Sequence, residues 1–132
     1  MKVYFAADHA GFELKNELLT FVRGELNLIV EDCGASALDS ADDYPPIIAR
    51  AASALAADAA QSLQSCAIIL GASGEGEAMV ANRFKGVRCA VYYGKASKDQ
   101  TDMSGDQLDV LASSRRHNHA NGLSLGALFL SA

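Results

Sequence analysis

Short apolar runs alternate with stretches of helical period along the whole chain, the pattern of a parallel sheet built with crossover helices. The first apolar run predicts a strand over Lys2–Ala6, and the amphipathic stretch behind it predicts a helix over Gly11–Gly24. A second strand is expected at Leu28–Asp32, with Cys33-Gly34 as its exit turn. Ala35–Asp43 reads as a polar loop. Tyr44-Pro45-Pro46 then opens a helix, because proline fits a first turn, and the alanine-rich run carries it to about Gln61. Cys66–Leu70, Arg88–Tyr92 and Leu123–Gly126 complete the strands, with helices over roughly Gly76–Phe84 and Gln107–Arg116. Gly94–Gly105 (GKASKDQTDMSG) mixes charges of both signs without an apolar period. It fits either a mobile surface loop or lid, or a disordered insertion. No repeat or linker interrupts the pattern. The expectation is one α/β domain over residues 1–132: a Rossmann-like three-layer α/β/α sandwich on a five-stranded parallel sheet, with ligands at the carboxyl ends of the strands.

Two strand exits carry candidate chemistry. Ala67–Arg83 reads AIILGASGEGEAMVANR: an apolar run, a glycine-rich turn, two glutamates and an alanine-rich helix. Backbone amides in such a turn form an anion cradle, and a carboxylate at its rim suits proton abstraction beside a carbonyl. The same stretch also fits a plain strand–turn–helix junction whose acids suit the helix dipole. Asp8 and His9 follow the first strand in MKVYFAADHAGFELK. Asp8 can be a ligand or a helix N-cap, and His9 a ligand or a solvated loop residue.

Composition narrows the classes. The net charge is −5 with no Lys or Arg run, which disfavours nucleic acid and anionic membranes as partners. No apolar stretch approaches the ~20 residues of a membrane span. A chain opening directly on a strand, without signal-peptide architecture, predicts the cytoplasm. Cys33, Cys66 and Cys89 are expected as reduced, buried thiols. They and the histidines lack paired ligand spacing, so no metal and no cofactor is expected.

ADHAGFELK (Ala7–Lys15), DDYP (Asp42–Pro45), GASGEGEAMVANR (Gly71–Arg83), GVRCA (Gly86–Ala90) and RHNHANGLSLGA (Arg116–Ala127) occur in this order over nearly the whole chain. In these segments the chain resembles the sugar-phosphate isomerase family that contains ribose-5-phosphate isomerase B and the galactose-6-phosphate isomerase subunits. The resemblance implies aldose–ketose isomerisation through a cis-enediolate, with ribose 5-phosphate and ribulose 5-phosphate as the expected pair. Many members carry a catalytic cysteine where this chain has Gly71. Another branch uses a glutamate, which the resemblance places at Glu77. The helix N-terminus would lower the Glu77 pKa, while Glu75 and desolvation would raise it, and the sequence leaves the outcome open. Glu75 itself reads as a solvated loop acid.

The enediolate would be held by the amides of Ala72–Gly76 and by the Ser73 hydroxyl, which can equally cap the helix, and Gly71, Ala72, Gly74 and Gly76 are expected to bind substrate. Asp8 and His117 match family positions for ring opening, although a histidine there also suits a helix C-terminus. His9, Tyr44 and Asn118 match substrate-contacting positions, and His119 reads as surface. The resemblance further implies a homodimer or dimer of dimers, with His117-Asn118 meeting the partner subunit's loop. Two departures stand out. The family's phosphate-binding arginine in its LGAR segment is Leu128 here, and the basic C-terminal helix does not follow, so the chain is either naturally short or a fragment. Arg83, Arg115 and Arg116 are candidates to compensate, or plain solvated helix residues. A hexose 6-phosphate isomerase, or a non-catalytic sugar-binding or subunit relative without the phosphate clamp, stays open as an alternative.

Overall fold

Val3, Tyr4, Phe5, Ala6 and Ala7 are all buried, so the first strand has no solvent face. That is the behaviour of a central strand in a parallel sheet covered on both sides. The computed structural model describes residues 1–131. Its strands are β1 (Lys2–Ala7), β2 (Ile29–Asp32), β3 (Cys66–Gly71), β4 (Cys89–Tyr92) and β5 (Gly122–Gly126). The helices are α1 (Phe12–Gly24), α2 (Tyr44–Ala60), α3 (Glu75–Ala81) and α4 (Val110–Asn118), with short 3-10 turns at His9–Gly11 and Ala127–Phe129. All pairings are parallel, in the order β2-β1-β3-β5-β4.

The chain leaves β1 in one direction to form β2 and returns past it to form β3. The strand order therefore reverses between β1 and β3, which opens a crevice beyond their carboxyl ends. Ile47, Ile48, Ala51, Ala52 and Leu55 of α2 pack with Tyr4, Ala6 and Ile69 on one face. On the other face Leu19 and Val22 of α1 join Val3, Phe5, Leu70 and Leu125. The alanines of α2 let that helix lie close to the sheet, as its composition implied.

The expected strands are all present within a residue at each end. Helix boundaries moved more. The helix expected from Gly11 starts at Phe12, after the 3-10 turn that Asp8 caps by accepting the Ala10 N–H at 3.0 Å. α3 stops at Ala81 rather than Phe84. The last helix starts three residues late, at Val110, because the Asp109 carboxylate caps it by accepting the Ala112 N–H. Gly94–Gly105 and the residues after it form local structure. Thr101 and Gln107 form an antiparallel bridge, and Asp102 accepts the Ser104 and Asp106 amides. Asp106 and Asp102 then pair with Arg116 and His117 of α4.

No helix among the described residues is long and apolar enough to cross a membrane.

Candidate active site

Glu77 lies in the first turn of α3, the helix that the glycine-rich turn launches from β3, and is only 4 % exposed. A Cβ at Gly71 would overlap its carboxylate. Only glycine leaves room there, so a side chain at position 71 and the Glu77 carboxylate are alternatives for one volume.

Gly74 holds the turn with φ +80, backbone that favours glycine. Ser124, fully buried in β5, donates its hydroxyl to the Gly74 carbonyl at 2.6 Å. Ser73 accepts the Glu75 amide on its Oγ at 3.2 Å, the local turn role anticipated beside its catalytic one. The Leu128 amide donates to the Ala72 carbonyl, seating the 127–129 turn against the loop. Tyr44, at the start of α2, sets its hydroxyl over Gly76, where a Cβ would meet it.

Asp8 is buried at 7 % exposure just past β1. Burial pushes the Glu77 carboxyl above its ordinary 4.5, and the nearby Asp8 charge adds to the rise. Its own amide and that of Gly74 pull the other way and lose. The competition left open by the sequence is settled by desolvation. Glu75 is exposed, as a solvated loop acid should be.

His9 is held by a residue to which sequence reasoning gave no role. Its Nδ1 lies 2.7 Å from Asp42 Oδ1, which also accepts the His9 backbone N–H at 3.1 Å. That hydrogen bond raises the His9 pKa above 6.5. Asp42 stands in the DDYP segment, the one signal that could have found it. Lys15 was missed as well: fully buried, it binds both Asp32 oxygens at 2.7 and 2.8 Å and the Ala35 carbonyl at 2.8 Å. It fixes the start of the loop that delivers Asp42.

Asp8, His9 and Asp42 each bring one ligand-type atom to within 4.8 Å of the others, a grouping that spacing alone did not disclose. Asp42 Oδ2 is buried without a hydrogen-bond partner. These three are the residues that a cation would find. The short His9–Asp42 contact already accounts for one ring nitrogen and one oxygen.

The structure thus brings Asp8, Tyr44, Gly71, Ser73, Gly76 and Glu77 together, with His9 beside Asp8. It does not bring His117 and Asn118 to them within one chain. α4 ends where β5 begins, and the Asn118 carbonyl accepts from Arg88, which precedes β4. Asn118 is therefore at the amino ends of these parallel strands. His117, in the last turn of α4, pairs with Asp102 at 3.3 Å. Arg83 and Arg115 lie away from the crevice too, Arg115 donating to the Ala120 carbonyl, and Arg116 is used on Asp106.

Cys66 opens β3 while Gly71 closes it, about 16 Å away at strand rise, so this thiol is remote from the crevice. All three cysteines are free and half-buried. Burial pushes the Cys33 thiol up to about 11 and the Cys89 thiol up to about 12.

Comparison with known proteins places this geometry in context. The profile of the Ribose/Galactose Isomerase family matches residues 3–132. Ribose-5-phosphate isomerase B of Mycolicibacterium paratuberculosis is 34% identical over 126 residues, 96% of this chain and 68% of that protein. The Mycobacterium tuberculosis protein of the same name is 35% identical, over 96% of this chain and 67% of its own length. Among solved structures, ribose-5-phosphate isomerase B of Mycoplasma genitalium with bound ribulose-5-phosphate superposes with a TM-score of 0.77 at 26% identity, covering 98% of this chain and 74% of that one. The Thermotoga maritima ribose 5-phosphate isomerase gives 0.78 at 28% identity, covering 99% and 77%.

Proposed function

This chain belongs to the ribose/galactose isomerase family, and from that premise we propose that it is an aldose–ketose isomerase interconverting ribose 5-phosphate and ribulose 5-phosphate. The observation that carries the proposal is the buried Glu77 carboxylate, set in the space of the missing Gly71 side chain at the rim of a glycine-rich turn. Glu77 removes the proton from C2 of the open-chain aldose and returns it to C1 from the same face. Between the two steps the substrate is a cis-enediolate, its proton moved from the C2 to the C1 oxygen. Amides of Ala72–Gly76 and the Ser73 hydroxyl are the donors for the developing oxyanion, each such donor being worth about 3–4 kcal/mol where measured. A carboxyl held above 4.5 is a stronger base than an ordinary carboxylate. Asp8 serves ring opening from the floor of the crevice, with His9 and Tyr44 lining it.

The second half of the site comes from a partner subunit. His117 opens the furanose ring and Asn118 contacts the sugar across a homodimer, as in the resemblance. What supports this is their exposure and their position away from Glu77 within one chain. Three free thiols without a disulfide among the described residues fit a reducing, cytoplasmic setting.

One observation favours the reading as a non-catalytic relative: Leu128, 73 % exposed, stands where the family's phosphate-binding arginine is expected. The deciding experiment offers the purified chain ribose 5-phosphate, ribulose 5-phosphate and hexose 6-phosphates in D₂O. Conversion of the pentose phosphates with deuterium entering at the carbon next to the carbonyl is expected. Preferred hexose turnover moves the substrate assignment, and binding without turnover or exchange overturns the isomerase.

A further inference from the structure

The crevice is rich in carboxylates. Asp8, Asp42 and Glu77 surround it, and the one adjacent cationic side chain, His9, is already paired with Asp42. A phosphate dianion needs cations that this arrangement does not supply. Most of the eleven Lys and Arg are elsewhere. Lys2 pairs with Glu31 at the start of β1, Arg23 ends α1, and Arg83, Lys85 and Arg88 precede β4. Arg115 and Arg116 end α4. At the carboxyl ends of the strands stand Lys15, Arg50, Lys95 and Lys98. Lys15 is sealed on Asp32, and Arg50 donates to the Cys33 carbonyl beside β2.

Lys95 and Lys98 differ from both. They line a cavity of about 320 Å³ between the end of β4 and the start of α4, and neither makes an ion pair among the described residues. Two carboxylates share the same wall, each held by one neutral donor: Asp99 accepts from Gln107, and Asp109 caps α4.

Contacts connect this cavity to the crevice. The Tyr93 ring meets Phe129 edge-on at 5.5 Å. A Cβ at Gly94 would lie 3.8 Å from Leu130. The 127–129 turn between them packs on the His9–Gly11 turn and donates its Leu128 amide to the Ala72 carbonyl. Two strand spacings separate the end of β3 from the end of β4, about 10 Å, a span that an extended sugar phosphate and a lysine side chain bridge together.

We propose that Lys95 and Lys98 form an anion subsite that takes the phosphate of the substrate, in place of an arginine at position 128. The substrate identity rests on the isomerase reading above. The subsite itself rests on the cavity, its two free ammonium groups and its continuity with the His9 turn.

The test compares wild type with Lys95→Ala/Lys98→Ala, Lys95→Arg/Lys98→Arg and Lys85→Ala, the last at the far end of the sheet. With ribose 5-phosphate, the double alanine variant is expected to raise KM about 10–100-fold, the loss of one to two charge-assisted contacts, with a much smaller change in kcat. The arginine pair should restore KM, and Lys85→Ala should leave it unchanged. Inorganic phosphate, titrated by ³¹P NMR, is the second probe and should bind the alanine pair correspondingly more weakly. An active wild type whose KM and phosphate affinity ignore the alanine pair overturns the subsite and spares the isomerase. A wild type that is inactive but binds phosphate through these lysines does the reverse. Equal phosphate binding by an inactive wild type and its alanine pair overturns both.

Discussion

α3 buries Glu77, Ala78 and Ala81 against the sheet, whereas α4 buries none of its residues. Both helices follow a strand of the same sheet, and both carry residues matched to the site. Around α3 the turn is held locally: the Gly74 carbonyl accepts from Ser124, Ser73 accepts from the Glu75 amide, and the Glu77 carboxylate fills the space a Gly71 side chain would take. Around α4 the contacts are exposed ion pairs, Arg116–Asp106 and His117–Asp102, both at 3.3 Å. Pairs of that kind contribute about 0–1 kcal/mol and exchange partners readily. On the proposed reading, the proton-transfer half of the site lies within one chain. On the same reading, the half proposed to meet the ring and the phosphate rests on exposed side chains.

Breaking the α3 side should cost most. Glu77→Gln keeps shape and removes the base, and is expected to lower kcat about 10²–10⁴-fold with an unchanged circular dichroism spectrum. Cys66→Ala should keep most of the activity. The opposite result in steady-state assays would move the base away from α3 altogether.

Gly71→Ala is next. The added methyl must displace the Glu77 carboxylate, and misplacing a catalytic group by about 1 Å costs on the order of 10²-fold. A variant with normal kcat would mean that the turn yields where its packing says it cannot.

On the α4 side, His117→Ala is expected to lower kcat/KM about 10-fold or more, one charged contact. Mixing it with Glu77→Gln should recover part of the activity if the two residues meet across subunits. Failure to recover, or sedimentation as a monomer at micromolar concentration, would leave α4 outside the site.

The smallest effect concerns stability. Because the folded Glu77 pKa is above its ordinary 4.5, the folded chain holds a proton there over a pH window in which the unfolded chain has lost it. Its contribution is favourable below about pH 4.5 and is lost as pH rises through the folded value. Glu77→Gln should therefore be more stable than wild type at pH 7 in urea unfolding, with the margin shrinking near pH 4. The acid limb of wild-type kcat/KM should likewise fall at an apparent pKa above 4.5.

The strands, their parallel direction and the two loaded exits were legible because each rests on local signals: apolar runs, turn residues and the helical period. Helix ends were less so. Asp109 decides where α4 begins through a cap that competes with the helix-forming Gln107-Leu108. Within the site, Asp8, Ser73 and Glu77 were found from their strand exits and motifs. Asp42, Ser124 and Lys15 were not, since each acts on a group 33, 50 or 17 residues away, and no periodicity encodes such a distance.

The sequence by itself determined the class of fold, the family and the residues able to carry a base and an oxyanion cradle. These follow from backbone conformation and side-chain chemistry, which are local properties. Only the tertiary structure decided that Glu77 is raised rather than lowered, that His9 is held by Asp42, and that the carboxyl-end lysines lie beyond β4. Each of these depends on burial and on charges brought near by the sheet order, and a pKa or an ion pair is set by what surrounds a group in space.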